Sequence, residues 1–186
     1  MVAFLDANVL YPATMRSVFM SLAEADVFKA LWSDKVHEEW MAALQRERPD
    51  LDPQRIARTR ALMEAYIDDA TVTGYEPLIA TLTLPDPDDR HVLAAAIHGG
   101  ANVIVTSNLR DFPAAALAPF RITAIDPDSF VLQLIAADVD GVVGALASDR
   151  VDLIKPPLDA DAYLKALDHG GLATTAAALR SMAGRL

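Results

Sequence analysis

Carboxylates stand where apolar strands stop at two distant points of this chain. The run Val2-Ala3-Phe4-Leu5 ends in Asp6, and Asn102-Val103-Ile104-Val105 is followed by Thr106-Ser107-Asn108-Leu109-Arg110-Asp111. A short run of apolar and β-branched residues between polar ones reads as a buried strand, and in parallel α/β sheets the ligand crevice lies beyond the strands' carboxyl ends. A third acidic element, Pro85-Asp86-Pro87-Asp88-Asp89-Arg90-His91, leads into the apolar stretch Val92-Leu93-Ala94-Ala95-Ala96-Ile97. Taken singly, each acid has an ordinary explanation: Asp6 as a turn residue, Asp88 and Asp89 as helix caps, Asp111 as a loop acid, Glu39 as half of a solvated Glu38-Glu39 pair. Taken jointly they converge on one pocket, where carboxylates repel one another unless protonated or neutralised by a cation. A hard divalent metal is the natural guest of such a set, so metal-assisted chemistry is what the pattern offers.

The elements that must position these acids follow from periodicity and stop signals. After the first strand, Pro12 and Ala13 open a helix with Val18, Phe19 and Leu22 at helical spacing, ending near Ala25. Ser33 or Asp34 can cap the next helix, whose stripe of Val36, Trp40, Ala43 and Leu44 places Glu39 beside the apolar face. Asp52-Pro53 starts a helix through Tyr66, and Thr71-Val72-Thr73 reads as a short strand. Asp88 can cap the helix that contains Ala94 to Ile97, with Gly99-Gly100 as its stop. Pro113 begins a short Ala-rich helix, Ile122-Thr123-Ala124-Ile125 is a further strand, and Asp126-Pro127 starts a helix through Leu134. Alternating strands and helices argue for a parallel sheet covered on both faces.

Beyond residue 135 strand signals vanish: helix, Lys155-Pro156-Pro157, helix, Gly170-Gly171, Ala-rich helix. This reads as a helical extension over 135–186 packed on a domain spanning 1–134. Its Val142, Val143, Leu146, Leu164, Leu167, Leu172 and Leu179 need a surface to cover.

At 186 residues and 53% hydrophobic the chain can bury one good core. The absence of cysteine removes disulfides, thiolate zinc sites and cysteine nucleophiles together, and points to a reducing compartment, the cytoplasm. No stretch of about twenty apolar residues offers a membrane span, and the amino terminus has no basic region followed by an apolar one. A net charge of -10 weighs against gripping nucleic acid by general electrostatics, so any nucleic acid must bind locally. In the one arginine-rich segment, Arg46-Glu47-Arg48 through Arg55, Arg58 and Arg60, the residues Arg48, Arg55 and Arg58 could face a phosphate backbone, although solvated helix faces are the more ordinary account of them.

Leu5-Asp6-Ala7-Asn8-Val9-Leu10, the run from Asp89 into Leu93-Ala94-Ala95-Ala96, and Thr106-Ser107-Asn108-Leu109-Arg110-Asp111-Phe112 resemble, in this order and spacing, the PIN domain (PilT N-terminal) nucleases. Among these the chain is most similar to the toxins of bacterial VapBC-type toxin-antitoxin pairs. The resemblance covers roughly residues 1–130. It implies an α/β fold of three layers, a central parallel sheet of about five strands between helices, with the C-terminal helical part lying outside the minimal domain. It carries Asp6, Glu39, Asp89 and Asp111 over as catalytic and metal-holding residues, with Asp86 as an auxiliary ligand. Glu39 is chosen over Glu38 because Ser33-Asp34-Lys35-Val36-His37-Glu38-Glu39 matches the family pattern of Ser, a hydrophobic residue three on, and Glu three further. Asn8, Thr106 and Asn108 fall at polar positions bordering the site, as supports for the ligands. Ala7 departs from the Thr often found there.

The resemblance further implies an endoribonuclease dependent on Mg²⁺ or Mn²⁺, whose metal-activated water leaves a 5′-phosphate and a 3′-hydroxyl. The implied partners are an RNA substrate, a cognate antitoxin and a second copy in a homodimer, with no membrane. Two other readings compete. An aspartate-nucleophile phosphohydrolase needs a second Asp two residues after the first, where this chain has Asn8; a PIN-like binding module without activity is at odds with the presence of all four acids. On a helix, residues one and two beyond Asp89 point away from its side chain, so Arg90 and His91 read as turned away from that acid, and His91 as a structural or solvated residue. His37, His98 and His169 show no metal-ligand spacing, which speaks against a zinc hydrolase.

Overall fold

The structure is a computed structural model that describes residues 1–152 and 157–186. Lys155 and Pro156 of the expected Lys155-Pro156-Pro157 break lie outside the described residues. In chain order the elements are β1 (Val2–Leu5), α1 (Ala7–Leu10), α2 (Ala13–Glu24), β2 (Lys29–Leu31), α3 (Asp34–Glu47), α4 (Pro53–Tyr66), α5 (Glu76–Ile79), α6 (Arg90–His98) and β3 (Val103–Val105). They continue with α7 (Ala114–Leu117), β4 (Thr123–Ile125), α8 (Pro127–Ala137), α9 (Val139–Asp152), α10 (Ala160–His169) and α11 (Ala173–Leu179). Short 3₁₀ turns at Pro87–Asp89 and Leu109–Asp111 carry acids of interest. By contacts the chain divides into two compact units, one of Met1–Tyr11 with Lys29–Asp126 and one of Pro12–Phe28 with Pro127–Leu186.

The first unit is α/β, built on a parallel sheet of order β2-β1-β3-β4. The central strands are apolar on both faces, as parallel strands must be: Ala3, Phe4, Leu5, Ile104 and Val105 are fully buried. Registers of Leu5 with Val105 and of Val105 with Ile125 align the carboxyl ends of β1, β3 and β4. From β1 the chain passes to β2 on one side and later returns to β3 on the other. The crevice between the ends of β1 and β3 is therefore the point where strand order reverses, the place such sheets bind ligands. Helix α6 packs on β1 and β3, α1 on α3, and α3 on α4.

Four strands are present among the described residues rather than about five. The expected strand Thr71-Val72-Thr73 reduces to a single parallel bridge between Thr71 and Trp32. Its partner strand ends there, because Ser33 already caps α3 by accepting from the Val36 N–H at 3.3 Å, and Gly74 turns the other chain away at φ +78°. Asp52 caps α4 with Pro53 following, as its sequence signal predicts. Gly100 takes the left-handed conformation, φ +69°, just past α6.

The second unit is helical. Helix α2 packs on α9 and α10, and α8 packs on α9 and α11. Phe19 and Phe130 stack at 5.8 Å while Phe28 meets both edge-on. Val142, Val143, Leu146, Leu164, Leu167, Leu172 and Leu179 are all buried. A buried carboxylate also ties this unit together: Asp149 accepts from Ser17 Oγ at 2.5 Å, Ser21 Oγ at 3.2 Å and Tyr163 OH at 2.6 Å, linking α2, α9 and α10. Burial, followed by the Asp149 charge, pushes the Tyr163 hydroxyl above its ordinary range, so it stays a donor. Among the described residues no helix is long and apolar enough to cross a membrane.

Candidate active site

Parallel pairing of β1 and β3 sets Asp6 beside Thr106, a hundred residues away in sequence. Thr106 Oγ donates to Asp6 Oδ2 at 2.6 Å, and Asn8 Nδ2 donates to the same oxygen at 2.5 Å and to Thr106 Oγ at 3.0 Å. Asp6 also caps α1, accepting from the Ala7 N–H at 2.6 Å. The Asn8 side-chain oxygen accepts from the Ser107 N–H at 2.9 Å, and Thr106 Oγ accepts from the Asn108 N–H at 3.0 Å. Asn108 Nδ2 in turn donates to Asp111 Oδ2. The structure thus joins Asn8, Thr106 and Asn108 into one hydrogen-bonded chain running from Asp6 to Asp111. Such a chain holds both carboxylates in fixed rotamers.

Asp86, Asp89 and Asp111 each offer a carboxylate oxygen, and the three lie within 4.8 Å of one another, the only such group among the described residues. Asp89 Oδ2 is buried and has no hydrogen-bond partner. Burial first, then the charges of Asp6, Asp86 and Asp111, push the Asp89 carboxyl up to about 6. Burial likewise raises Asp6, against the stabilising bonds from Thr106 and Ala7. Asp88 does not cap the helix. Asp86 does the local capping instead, accepting from the Asp88 N–H at 2.9 Å within the 3₁₀ turn, while Asp89 occupies the cap position of α6 with no side-chain bond to the helix. Because that turn tightens the chain ahead of α6, Asp88 is left exposed and Asp89 lines the cavity.

Glu39 reaches the same cavity from α3, whereas Glu38 is exposed. It does not join the three-acid group; its Oε1 lies 3.0 Å from His91 Nε2 and 3.6 Å from Lys35 Nζ. Of the two sequence readings of His91, structural or solvated, the solvated one fails. His91 is buried and turned toward Glu39, while Arg90 does point elsewhere, donating from Nε to the Pro87 carbonyl at 2.8 Å. The helical-wheel rule holds within α6 but is silent about α3, the neighbour that His91 meets. His37 is fully buried, accepts at Nδ1 from Trp40 Nε1 at 2.9 Å, and is lowered to about 4 by burial and then by Arg60. It is a neutral packing residue beneath α3.

The cavity has a volume of about 630 Å³. Asp6, Asn8, Glu39, Asp89 and Asn108 line it together with Tyr11, Ala43 and Arg46. Of the arginines weighed from sequence, Arg48 is paired with Asp50 at 2.7 Å, and Arg55 and Arg58 are exposed on α4. Arg46 makes no ion pair among the described residues and is the cation at this cavity, a position apparent only once α3 is oriented.

A parallel sheet with acids converging beyond its central strands defines the class. The PIN domain model matches residues 2–110, and the chain belongs to the PIN domain family. Residues 127–181 match the VapC50 C-terminal domain. A Mycobacterium tuberculosis protein named "Putative ribonuclease VapC50" is 39% identical over 94 residues, which are 50% of this chain and 55% of that protein. The match therefore spans about half the length of that curated relative. No solved structure matches the chain.

Proposed function

We propose that this protein is a metal-dependent endoribonuclease, the toxin of a type II toxin-antitoxin pair, in which Asp6, Glu39, Asp89 and Asp111, with Asp86, hold Mg²⁺ or Mn²⁺. The observation that carries this reading is Asp89. Its buried Oδ2 has no protein partner, its carboxyl is pushed up to about 6, and Asp86 and Asp111 crowd it. A donor set made entirely of carboxylate oxygens fits a hard divalent cation. When bound, the ion lowers the pKa of a water and takes up charge on the phosphodiester.

The chain's own residues do the rest. Asn8 and Thr106 orient Asp6, and Asn108 orients Asp111. Arg46 sits seven residues, two helical turns or about 10 Å, beyond Glu39 on α3. That distance suits a neighbouring phosphate of an RNA strand rather than the scissile one, and supplies the local grip that an acidic protein lacks elsewhere. Replacing Arg46 by Ala should raise KM for RNA about threefold to tenfold and leave kcat nearly unchanged, because a contact made equally in ground and transition states affects binding alone. An equal loss in kcat would place Arg46 in the chemistry instead.

An aspartate-nucleophile mechanism fits less well, since Asn8 stands at the acid's place and occupies Asp6 Oδ2 with its amide. The inactive-module reading leaves the Asp89 charge arrangement without a use. An acidic cavity also suits a cationic side chain of an antitoxin entering it, and we assign the protein an RNA substrate, an antitoxin partner, a homodimeric state and the cytoplasm. The test is cleavage of purified RNA with ends mapped. Cutting that needs Mn²⁺ or Mg²⁺, stops in EDTA and leaves 5′-phosphates supports the reading; cleavage unaffected by EDTA, or none under any metal, refutes it.

Residues 135–186 we read as an extension that shares a core with α2 rather than as a separately folding domain. Its apolar positions pack in the same unit as Phe19 and Met15 of α2. Truncation after Leu134 should expose that helix and increase binding of a hydrophobic dye, with a lower melting midpoint. A truncated protein that is monodisperse, equally stable and no stickier overturns it.

A further inference from the structure

His91 is the second residue of α6 and is 7% exposed, with Nε2 3.0 Å from Glu39 Oε1. A carboxylate only accepts, so the ring nitrogen facing it is the donor. The other nitrogen, Nδ1, is buried without a partner, which makes Glu39 the ring's single polar anchor among the described residues. Burying an imidazole with half its hydrogen-bonding capacity unmet costs free energy that packing alone does not demand. Glu39 has the complementary need. Its side chain is about one-third exposed at the cavity, and its other partner, Lys35, is a half-exposed neighbour one turn away at 3.6 Å, a contact too solvated to fix a rotamer. The His91 contact is therefore what ties Glu39 to the body that carries Asp89, since α6 begins directly after that acid.

We propose that His91 is a positioning residue: by donating from Nε2 to Glu39 Oε1 it holds the carboxylate at the cavity with its second oxygen available to a divalent cation. The inference rests on the nuclease reading above and deepens it. Partners of this kind typically contribute a tenfold to hundredfold share of metal affinity.

The test measures Mn²⁺ binding by calorimetry on the full chain for wild type, His91→Leu, His91→Gln, Glu39→Gln and the Leu/Gln double variant, with metal-free melting midpoints alongside. His91→Leu should weaken Mn²⁺ binding about tenfold and lower kcat at subsaturating metal, while KM for RNA at saturating metal stays put. His91→Gln, which keeps a donor at similar reach, should recover most of the affinity. In the Glu39→Gln background the Leu substitution should add nothing, since residues acting through one contact are not additive. A histidine serving packing alone would move the melting midpoint, leave Mn²⁺ affinity unchanged and show no rescue by Gln; that result overturns the proposal, as does an additive double variant. Should His91→Leu not fold, His91→Gln and His91→Asn decide: Gln retaining the affinity that Asn loses supports it, and equal affinities overturn it. Wild type that neither binds Mn²⁺ nor cuts RNA would sink the nuclease reading together with this one, whereas metal-binding wild type with unaltered His91 variants sinks this one alone.

Discussion

Expressed in a bacterial host, the wild-type protein is expected to slow growth and cut a structured RNA, while Asp6→Asn at equal abundance does neither. The two side chains are nearly isosteric, so the fold should survive. An amide whose oxygen stays toward Thr106 and Asn8 keeps both of those bonds and gives up only the cap on α1, and burying a neutral group is easier than burying a charge. What disappears is a negative oxygen at the junction of β1 and β3, where Thr106 and Asn8 converge. Losing about a thousandfold in rate, ~4 kcal/mol of transition-state stabilisation, is the order expected for removing a charge at the reacting centre. Co-expression of a cognate antitoxin should restore growth to the wild-type strain. If both proteins give the same growth curve and the same RNA pattern, Asp6 has no part in any toxicity.

Much of the candidate site was legible because its acids sit at element boundaries, which leave strong local signals. Asp6 ends an apolar strand, Asp111 follows another, and Ser33 announces the helix that carries Glu39. Parallel pairing then makes neighbours of Asp6 and Thr106 without any long-range information beyond strand direction. Glu39 over Glu38 came from the family pattern; helical position alone placed it only beside the apolar stripe.

The features that escaped are contacts between elements. His91 meets Glu39 across two helices whose starts are more than fifty residues apart, and nothing within α6 signals it. Arg46 opens the arginine-rich segment in the sequence, yet nothing local singles it out from its neighbours, because its value depends on which face α3 turns to the cavity. The segment at Thr71 is shorter as a strand than its sequence suggests: its β-branched residues favour extended backbone, but the strand beside it has already turned into a capped helix. Asp149 reads in sequence as one more acid in a helix, and its three hydroxyl partners come from positions 17, 21 and 163.

The charge arrangement around Asp89 leads to the second large effect. Its carboxyl is pushed from 3.8 to about 6, so the folded protein holds that proton more tightly than the unfolded chain does. The sign follows directly: the group costs nothing below about pH 4, its penalty grows as pH rises through the interval to about 6, and it is fully present at pH 7. The full shift would correspond to ~3 kcal/mol, but the Asp89 side chain is only partly buried and solvent screening reduces this to about 1 kcal/mol. In EDTA at pH 7, Asp89→Asn should therefore melt about 2–4 °C above wild type, and at pH 4 the two should coincide. Mn²⁺ reverses the order. A ligand stabilises only the state that binds it, so at a hundred times its dissociation constant it should add roughly 2.7 kcal/mol to wild type and leave the mutant nearly unmoved. RNA cleavage should vanish in the same mutant. Calorimetric scans at both pH values, with and without millimolar Mn²⁺, check every part of this. A wild-type midpoint indifferent to Mn²⁺, beside an Asp89→Asn protein that still cuts RNA, would mean that these acids do not form a metal site.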